Sequence, residues 1–179
     1  LRRLLVESGW RSGEPWTPLR RDLGDEVEDC GLRVEVVDAD DAPDRAPERV
    51  AVQRAAFPNS TFTLQRWHTM AAASPYRRAR CLVGYDANGA AVAAVTAWSA
   101  GQGRPGLLEP VGVHRDHRGH GYGKAISLAA AAALREMGAS SATVCTRSSN
   151  VGAVATYASA GFSRLPDVPD FRRPSRRTC

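Results

Sequence analysis

The sequence predicts a mixed α+β fold organised around one strand–loop–helix junction. Three observations carry that expectation. An apolar run, Leu107 to Val113, enters a loop crowded with glycines and cations, and an Ala-rich helical run from about Tyr122 to Met137 leaves it. Asn88-Gly89 stands between two strand-like runs, Arg80 to Tyr85 and Ala90 to Trp98, which is a strong hairpin signal. Shorter helical and strand-like stretches alternate on both sides of these, with Gly138 and Gly161 as helix stops.

Bulk composition narrows the class. With 179 residues, 43% of them hydrophobic, the chain can bury one good core. No apolar run approaches the ~20 residues that a membrane span requires. The segment Leu1 to Val6 is too short for a signal-peptide core and has no small-residue cleavage site. Cys30, Cys81, Cys145 and Cys179 lie far apart, with no C-x-x-C and no His at metal spacing. A reduced, cytoplasmic protein without metal is expected. The net charge of +5 is uneven, because residues 22–48 are acidic and Arg172 to Arg177 is basic. No aromatics interleave with those cations for base stacking, so nucleic acid is not an expected partner, and without a spanning run neither is a membrane.

Residues 1–29 read as a segment apart from the fold that follows. At a constant offset of 152, Ser8-Gly9-Trp10 falls on Ala160-Gly161-Phe162, and Leu19-Arg20-Arg21 falls on Phe171-Arg172-Arg173. That offset is about one domain, so residues 1–21 are expected to be the last helix and strand of a preceding homologous domain, with 22–30 a polar linker. Chance coincidence of helix ends and Arg pairs is the alternative. The main domain is expected over 30–166 and a basic tail over 167–179. Within the domain, Leu32 to Val37 alternates as a strand, and Asp40-Asp41-Ala42-Pro43 offers a cap and an N1 proline. The helix after it carries Ala46, Val50, Gln53 and Phe57 on one stripe. Ser60 to Thr63 caps a second helix through Ala73, with Leu64, Trp67 and Ala71 buried. Ser141 to Thr146, Asn150 to Ala160 and Phe162 to Leu165 follow as strand, helix and strand.

The junction suits an anion. Unpaired backbone N–H groups at the positive end of a helix dipole favour a phosphate, and Gly119, Gly121 and Gly123 leave the backbone accessible. Arg118 and Lys124 add charge. Two familiar phosphate loops fail here. A P-loop needs Gly where Arg118 stands and Ser or Thr where Ala125 stands, and the G-x-G-x-G spacing is not the dinucleotide fingerprint.

The spelling R-x-x-G-x-G is met by Arg118, Gly121 and Gly123, between a strand and a helix. It resembles the acyl-CoA loop of the GNAT acetyltransferase superfamily. A second stretch, N-x-x-A-x-x-x-Y-x-x-x-G-F, is met by Asn150, Ala153, Tyr157, Gly161 and Phe162. The resemblance spans roughly residues 31–163. It implies a central, mostly antiparallel sheet with splayed central strands flanked by helices, and with the offset noted above it suggests the C-terminal half of a tandem GNAT protein. It also implies acetyl-CoA as cosubstrate, held by Arg118, Gly119, His120, Gly121, Tyr122, Gly123 and Lys124 at its pyrophosphate.

Pro110 and Gly112 are unusual inside a strand, and fit one that parts from its neighbour. A pantetheine arm can pair with such an edge by β-augmentation, and the resemblance implies Val111 and Val113 as its main-chain partners. By the same resemblance Asn150 caps its helix and contacts the pantetheine. Glu109, expected on the side of Leu107, Val111 and Val113, is the expected base, since an amine must lose a proton before it attacks a thioester. His114 and His117 stand in reserve. The resemblance likewise implies that Tyr157 protonates the departing thiolate. The acceptor wall is expected around Trp67, His68, Tyr76, Arg77, Arg78 and Arg80, with Trp98 and Gln102 opposite. The expected activity is acetyl transfer to an amine of a small molecule, such as an amino sugar or thiol precursor. A silent acyl-CoA-binding sensor or scaffold is the alternative.

Overall fold

The computed structural model describes residues 1–37 and 45–173. The strands are β1 (Arg11–Asp22), β2 (Arg33–Val36), β3 (Ala79–Tyr85), β4 (Ala91–Ser99), β5 (Pro105–Val113), β6 (Ser141–Arg147), β7 (Ser163–Arg164) and β8 (Val168–Arg172). The helices are α1 (Arg2–Glu7), α2 (Arg45–Ala56), α3 (Leu64–Ala71), α4 (Tyr122–Glu136) and α5 (Val151–Ser159). The strands form one sheet in the order β2-β3-β4-β5-β6-β1-β7, with β8 also paired to β1. Among the described strands only β5 and β6 pair in parallel.

Each face of the sheet carries its own core. Helices α2 and α3 cover one face through Ala46, Val50, Val52 and Trp67, against Cys81, Val83 and Ala94 of the strands. Helix α4 covers the other with Ile126, Leu128, Ala130, Ala131 and Leu134, joined there by Tyr157 of α5. Alanines let α4 lie close to the sheet, and Gly106 of β5 completes the fit. A Cβ on Gly106 would stand 2.4 Å from Leu134 Cδ2. Burying Leu134 completely contributes about 2–3 kcal/mol.

The N-terminal segment lies inside the sheet rather than apart from it. Strand β1 pairs antiparallel with β6 from Trp16↔Arg147 to Asp22↔Ser141, and its other edge takes β7 and β8. A boundary at residue 29 therefore separates two pieces of one sheet. At the other end, 168–172 of the expected tail is strand β8, and 174–179 lies outside the described residues. The cap expected at Asp40 to Pro43 also lies outside them.

Helix α2 departs from its expected stripe. It buries Ala46, Arg49, Val50, Val52 and Ala56, while Phe57 is past its end and 39% exposed. Arg49 is buried because its donors find acceptors: Nε meets Cys81 Sγ at 3.3 Å, Nη1 meets Gln53 Oε1 at 2.6 Å and Nη2 meets Thr96 Oγ1 at 3.4 Å. Gln102 also departs from expectation. It packs on Gly138 at the end of α4, not on the acceptor side.

Strand β5 contains a bulge. Its pairing to β4 jumps from Ala97↔Leu108 to Val95↔Val111, so Glu109 and Pro110 together oppose Thr96, and the peptide between them is cis. The period of two is reset there. Leu108 belongs to the α4 core that Val111 and Val113 also join, whereas Leu107 is exposed. Glu109 is thus not carried to the side of Val111 by simple alternation, as the sequence suggested.

Candidate active site

The site opens where two parallel strands separate. Pairing between β5 and β6 runs from Pro105↔Ser141 to Leu107↔Thr143 and stops. His114 N–H, just past β5, donates to Val92 O at 2.8 Å, on the β4 side. Backbone groups of alternate residues share an edge, so Val111 and Val113 present theirs to the opposite side, which β6 has left. Here Pro110 and Gly112 mark the parted strand that their presence suggested.

A groove of about 620 Å³ lies beside that edge. Val111, Gly112 and Val113 form one wall, Ala56 and Phe57 another, the loop and first turn of α4 close one end, and α5 supplies Asn150, Gly152, Ala153, Thr156 and Tyr157. The wall at Ala56 stands close because Gly112 lacks a Cβ, which would sit 2.7 Å from Ala56 Cβ.

Backbone donors gather at the loop. Gly121 is the N-cap of α4 at φ 80°, a conformation that glycine adopts at little cost, and it offers no side-chain cap. The first-turn N–H groups of this 15-residue helix therefore face the groove without an intrahelical partner, and no acidic residue stands among them. Gly123 plays a different part. A Cβ there would lie 2.8 Å from Thr156 Cγ2, so its absence lets α4 and α5 approach.

The cations are placed by hydrogen bonds as well as by charge. Arg118 Nη2 donates to Ala56 O at 2.9 Å, and Arg115 Nε donates to Ala55 O at 3.0 Å. Both tie the loop to the C-terminal end of α2, where the helix dipole favours positive charge. Lys124 is exposed and lines the groove. His120 stands outside the groove lining, stacked on Tyr122 with ring centroids 5.8 Å apart. His117 lines it, and His114 accepts from Asp116 N–H at its Nδ1 at 3.3 Å.

Asn150 caps α5, its Oδ1 accepting from Ala153 N–H at 3.2 Å. Seven residues on, Tyr157 faces the same groove and is only 8% exposed. Burial pushes its phenol up to about 12. Glu109 is exposed and lies outside the groove lining. Its charge reaches Cys145 of β6, whose thiol is pushed up first by burial and then by that carboxylate. Trp98 Nε1 donates to Glu109 O at 2.7 Å and so pins the bulge.

Of the residues singled out from sequence, Val111, Val113, Arg118, Gly119, Gly121, Tyr122, Gly123, Lys124, Asn150 and Tyr157 come together around this groove, while His120 and Glu109 stand beside it. Sequence reasoning missed Ala56, Phe57 and Thr156, which reach the groove through helix packing. Gly112 was the available signal for the first two. On the acceptor side, Trp67 is wholly buried, and Tyr76 stacks edge-on with Trp67 and Trp98. Arg77, Arg78 and Arg80 are exposed. Among the described residues no His, Cys, Asp and Glu cluster could hold a metal, and no helix is long and apolar enough to cross a membrane.

Comparison with known proteins agrees with this fold. The GCN5-related N-acetyltransferase from Sphaerobacter thermophilus superposes with a TM-score of 0.71 at 20% identity, covering 97% of this chain and 56% of that one. A GCN5-related N-acetyltransferase from Kribbella flavida gives a TM-score of 0.71 at 20% identity, over 98% of this chain and 64% of that one. A tandem GNAT protein from the clavulanic acid biosynthesis pathway gives 0.67 at 20% identity, over 95% and 56%. At such identity these likenesses show a shared fold, and the chain spans only 56–64% of those three proteins. No curated protein matches the chain. The model of the acetyltransferase (GNAT) family matches residues 45–162, from the start of α2 to the end of the α5 signature, and the chain belongs to that family.

Proposed function

We propose that the chain is an acetyl-CoA-dependent N-acetyltransferase that acetylates an amine of a small molecule by direct attack. The observation that carries this reading is the groove, in which an open strand edge runs directly into an uncapped helix N-terminus. One end suits a diphosphate and the other suits the amides of a pantetheine. Acetyl-CoA supplies the activated acetyl group. First-turn N–H groups of α4, with Lys124 and Arg118, neutralise the diphosphate. Val111 and Val113 align the arm along β5, and an N–H of that edge polarises the thioester carbonyl. Glu109, directly or through water, accepts the proton of the attacking amine as its C–N bond forms. Tyr157 donates its hydroxyl proton to the sulfur as the C–S bond breaks.

The phenol's high pKa keeps that proton in place across the neutral range. It also makes the phenol a weaker acid than free tyrosine. The same burial raises the basicity of a thiolate in the groove, which offsets that loss of acidity. The test is thioester cleavage by the purified protein against a panel of amines, read through release of the free thiol. Turnover with at least one amine is expected. Saturable coenzyme binding with no turnover on any amine would favour a silent acyl-CoA sensor or scaffold.

A further inference from the structure

We infer that the acceptor is an amine that also carries an anionic group, a carboxylate or a phosphate, which Arg20 and Arg147 hold on the uncovered face of β5, β6 and β1. The inference rests on the acetyl transfer proposed above and names its substrate class.

Side-chain alternation locates that face. Ala142 and Val144 of β6 and Leu19 of β1 belong to the core under α4. Thr143, Cys145 and Arg147 therefore point to the opposite face, and so do Trp16, Pro18 and Arg20. The register agrees, because Trp16↔Arg147, Pro18↔Cys145 and Arg20↔Thr143 are cross-strand partners. Leu107 joins them through Leu107↔Thr143 and is 37% exposed. Its partner on β4, Trp98, packs against the core of α2 and α3, so this face continues the one those helices cover. Beyond Trp98 the cover ends, and Cys145, Arg147 and Arg20 are exposed.

Opposite charges are set out across this face. Glu109 and Cys145 each stand two residues past Leu107↔Thr143, the last pair of the parallel strands. They remain close enough that burial first, and then the Glu109 carboxylate, holds the Cys145 thiol above its ordinary range. An ammonium that approaches the thioester between the strands is attracted by that carboxylate.

Two cations lie further out. Arg147 is two residues along β6 from Cys145, and Arg20 is one strand over and two residues back. Strand geometry puts both backbones roughly 7–8 Å from that of Cys145. Arg147 is held from two sides, with Nη1 3.3 Å from Glu14 Oε2 and the guanidinium 5.9 Å from the centre of the Trp16 ring. Its fork of donors leaves room for a second anion. Arg20 makes no ion pair among the described residues. An acceptor with an ammonium at one end and an anion at the other aligns with this order of charges, and one with a second ammonium is repelled. Two arginines rather than a run of cations match one anionic group and not a polyanion.

The experiment supplies acetyl-CoA and matched primary amines: short ω-amino carboxylates, aminoalkyl phosphates of the same lengths, and the corresponding ω-amino carboxamides. kcat/KM should be at least about 10-fold higher for one anionic series than for the carboxamides, and the better series tells carboxylate from phosphate. Arg20→Gln and Arg147→Gln should each reduce that ratio several-fold, through KM, and Arg20→Glu should turn the preference towards diamines of the same length. Carboxamides used as well as the anionic amines, or a preference that survives both neutral substitutions, would overturn the inference and leave the acetyl transfer standing. If no amine is turned over, calorimetry on the protein saturated with acetyl-CoA decides. Binding of an anionic amine that is lost in Arg20→Gln keeps this site while the transfer reading fails, and no binding overturns both.

Discussion

Replacing Tyr157 by Phe removes one hydroxyl that makes no hydrogen bond to the described residues and opens on the groove. At neutral pH the fold should barely notice, with a stability change within about 0.5 kcal/mol. Turnover should fall by about 10²–10⁴, the usual contribution of a positioned general acid, or about 2.7–5.5 kcal/mol of barrier. Coenzyme affinity should move by less than about three-fold. The alkaline range supplies an independent readout. Burial alone raises the phenol from 10 to about 12, so the folded state holds this proton longer than the unfolded chain. The resulting stability is fully present below pH 10 and is lost as pH rises from 10 through 12. Two pH units correspond to about 2.7 kcal/mol. Urea midpoints measured from pH 8 to 12 should therefore fall more steeply for wild type than for Tyr157→Phe. Full activity in Tyr157→Phe, or superimposable stability curves through pH 11, would refute the reasoning.

Other positions probe the walls of the site. Gly112→Ala places a methyl 2.7 Å from Ala56 Cβ, which should cost about 1–3 kcal/mol in a urea titration and weaken coenzyme binding by shifting the end of α2. Arg118→Ala loses both a charge at the groove and the bond to Ala56 O, and should raise the coenzyme Kd about 10-fold by calorimetry while leaving the circular dichroism spectrum unchanged. Leu134→Ala empties the space over Gly106 and should destabilise by about 2–5 kcal/mol in thermal unfolding, with the coenzyme Kd unaltered in the folded fraction.

Much of this architecture was legible in the sequence because its signals are local. Asn88-Gly89 announced the β3–β4 hairpin, Gly121 the start of α4, and the spacing of Asn150 and Tyr157 a shared helix face. Three features were not, and each is a matter of contacts distant in sequence. The place of β1 depends on pairing with β6, over a hundred residues away, and nothing in Arg11 to Asp22 specifies that partner. The bulge at Glu109 and Pro110 resets the alternation by which strand sides are read. Arg49 looks like a surface residue until Cys81, Gln53 and Thr96 are brought around it. The groove itself follows the same division. Its loop and α5 residues were readable from motifs, whereas Ala56 and Phe57 reach it because Gly112 permits α2 to lie close.

The measurement closest to the heart of this account is a calorimetric titration of the purified chain with acetyl-CoA, repeated on Gly121→Val. The native residue sits at φ 80°, where a β-branched side chain is strained, and it begins the helix whose N–H groups face the groove. Saturable one-to-one binding by the wild type, lost in a folded Gly121→Val protein, is the predicted result. Wild-type protein that takes up no acetyl-CoA, or Gly121→Val protein that binds it with unchanged affinity, would contradict the account.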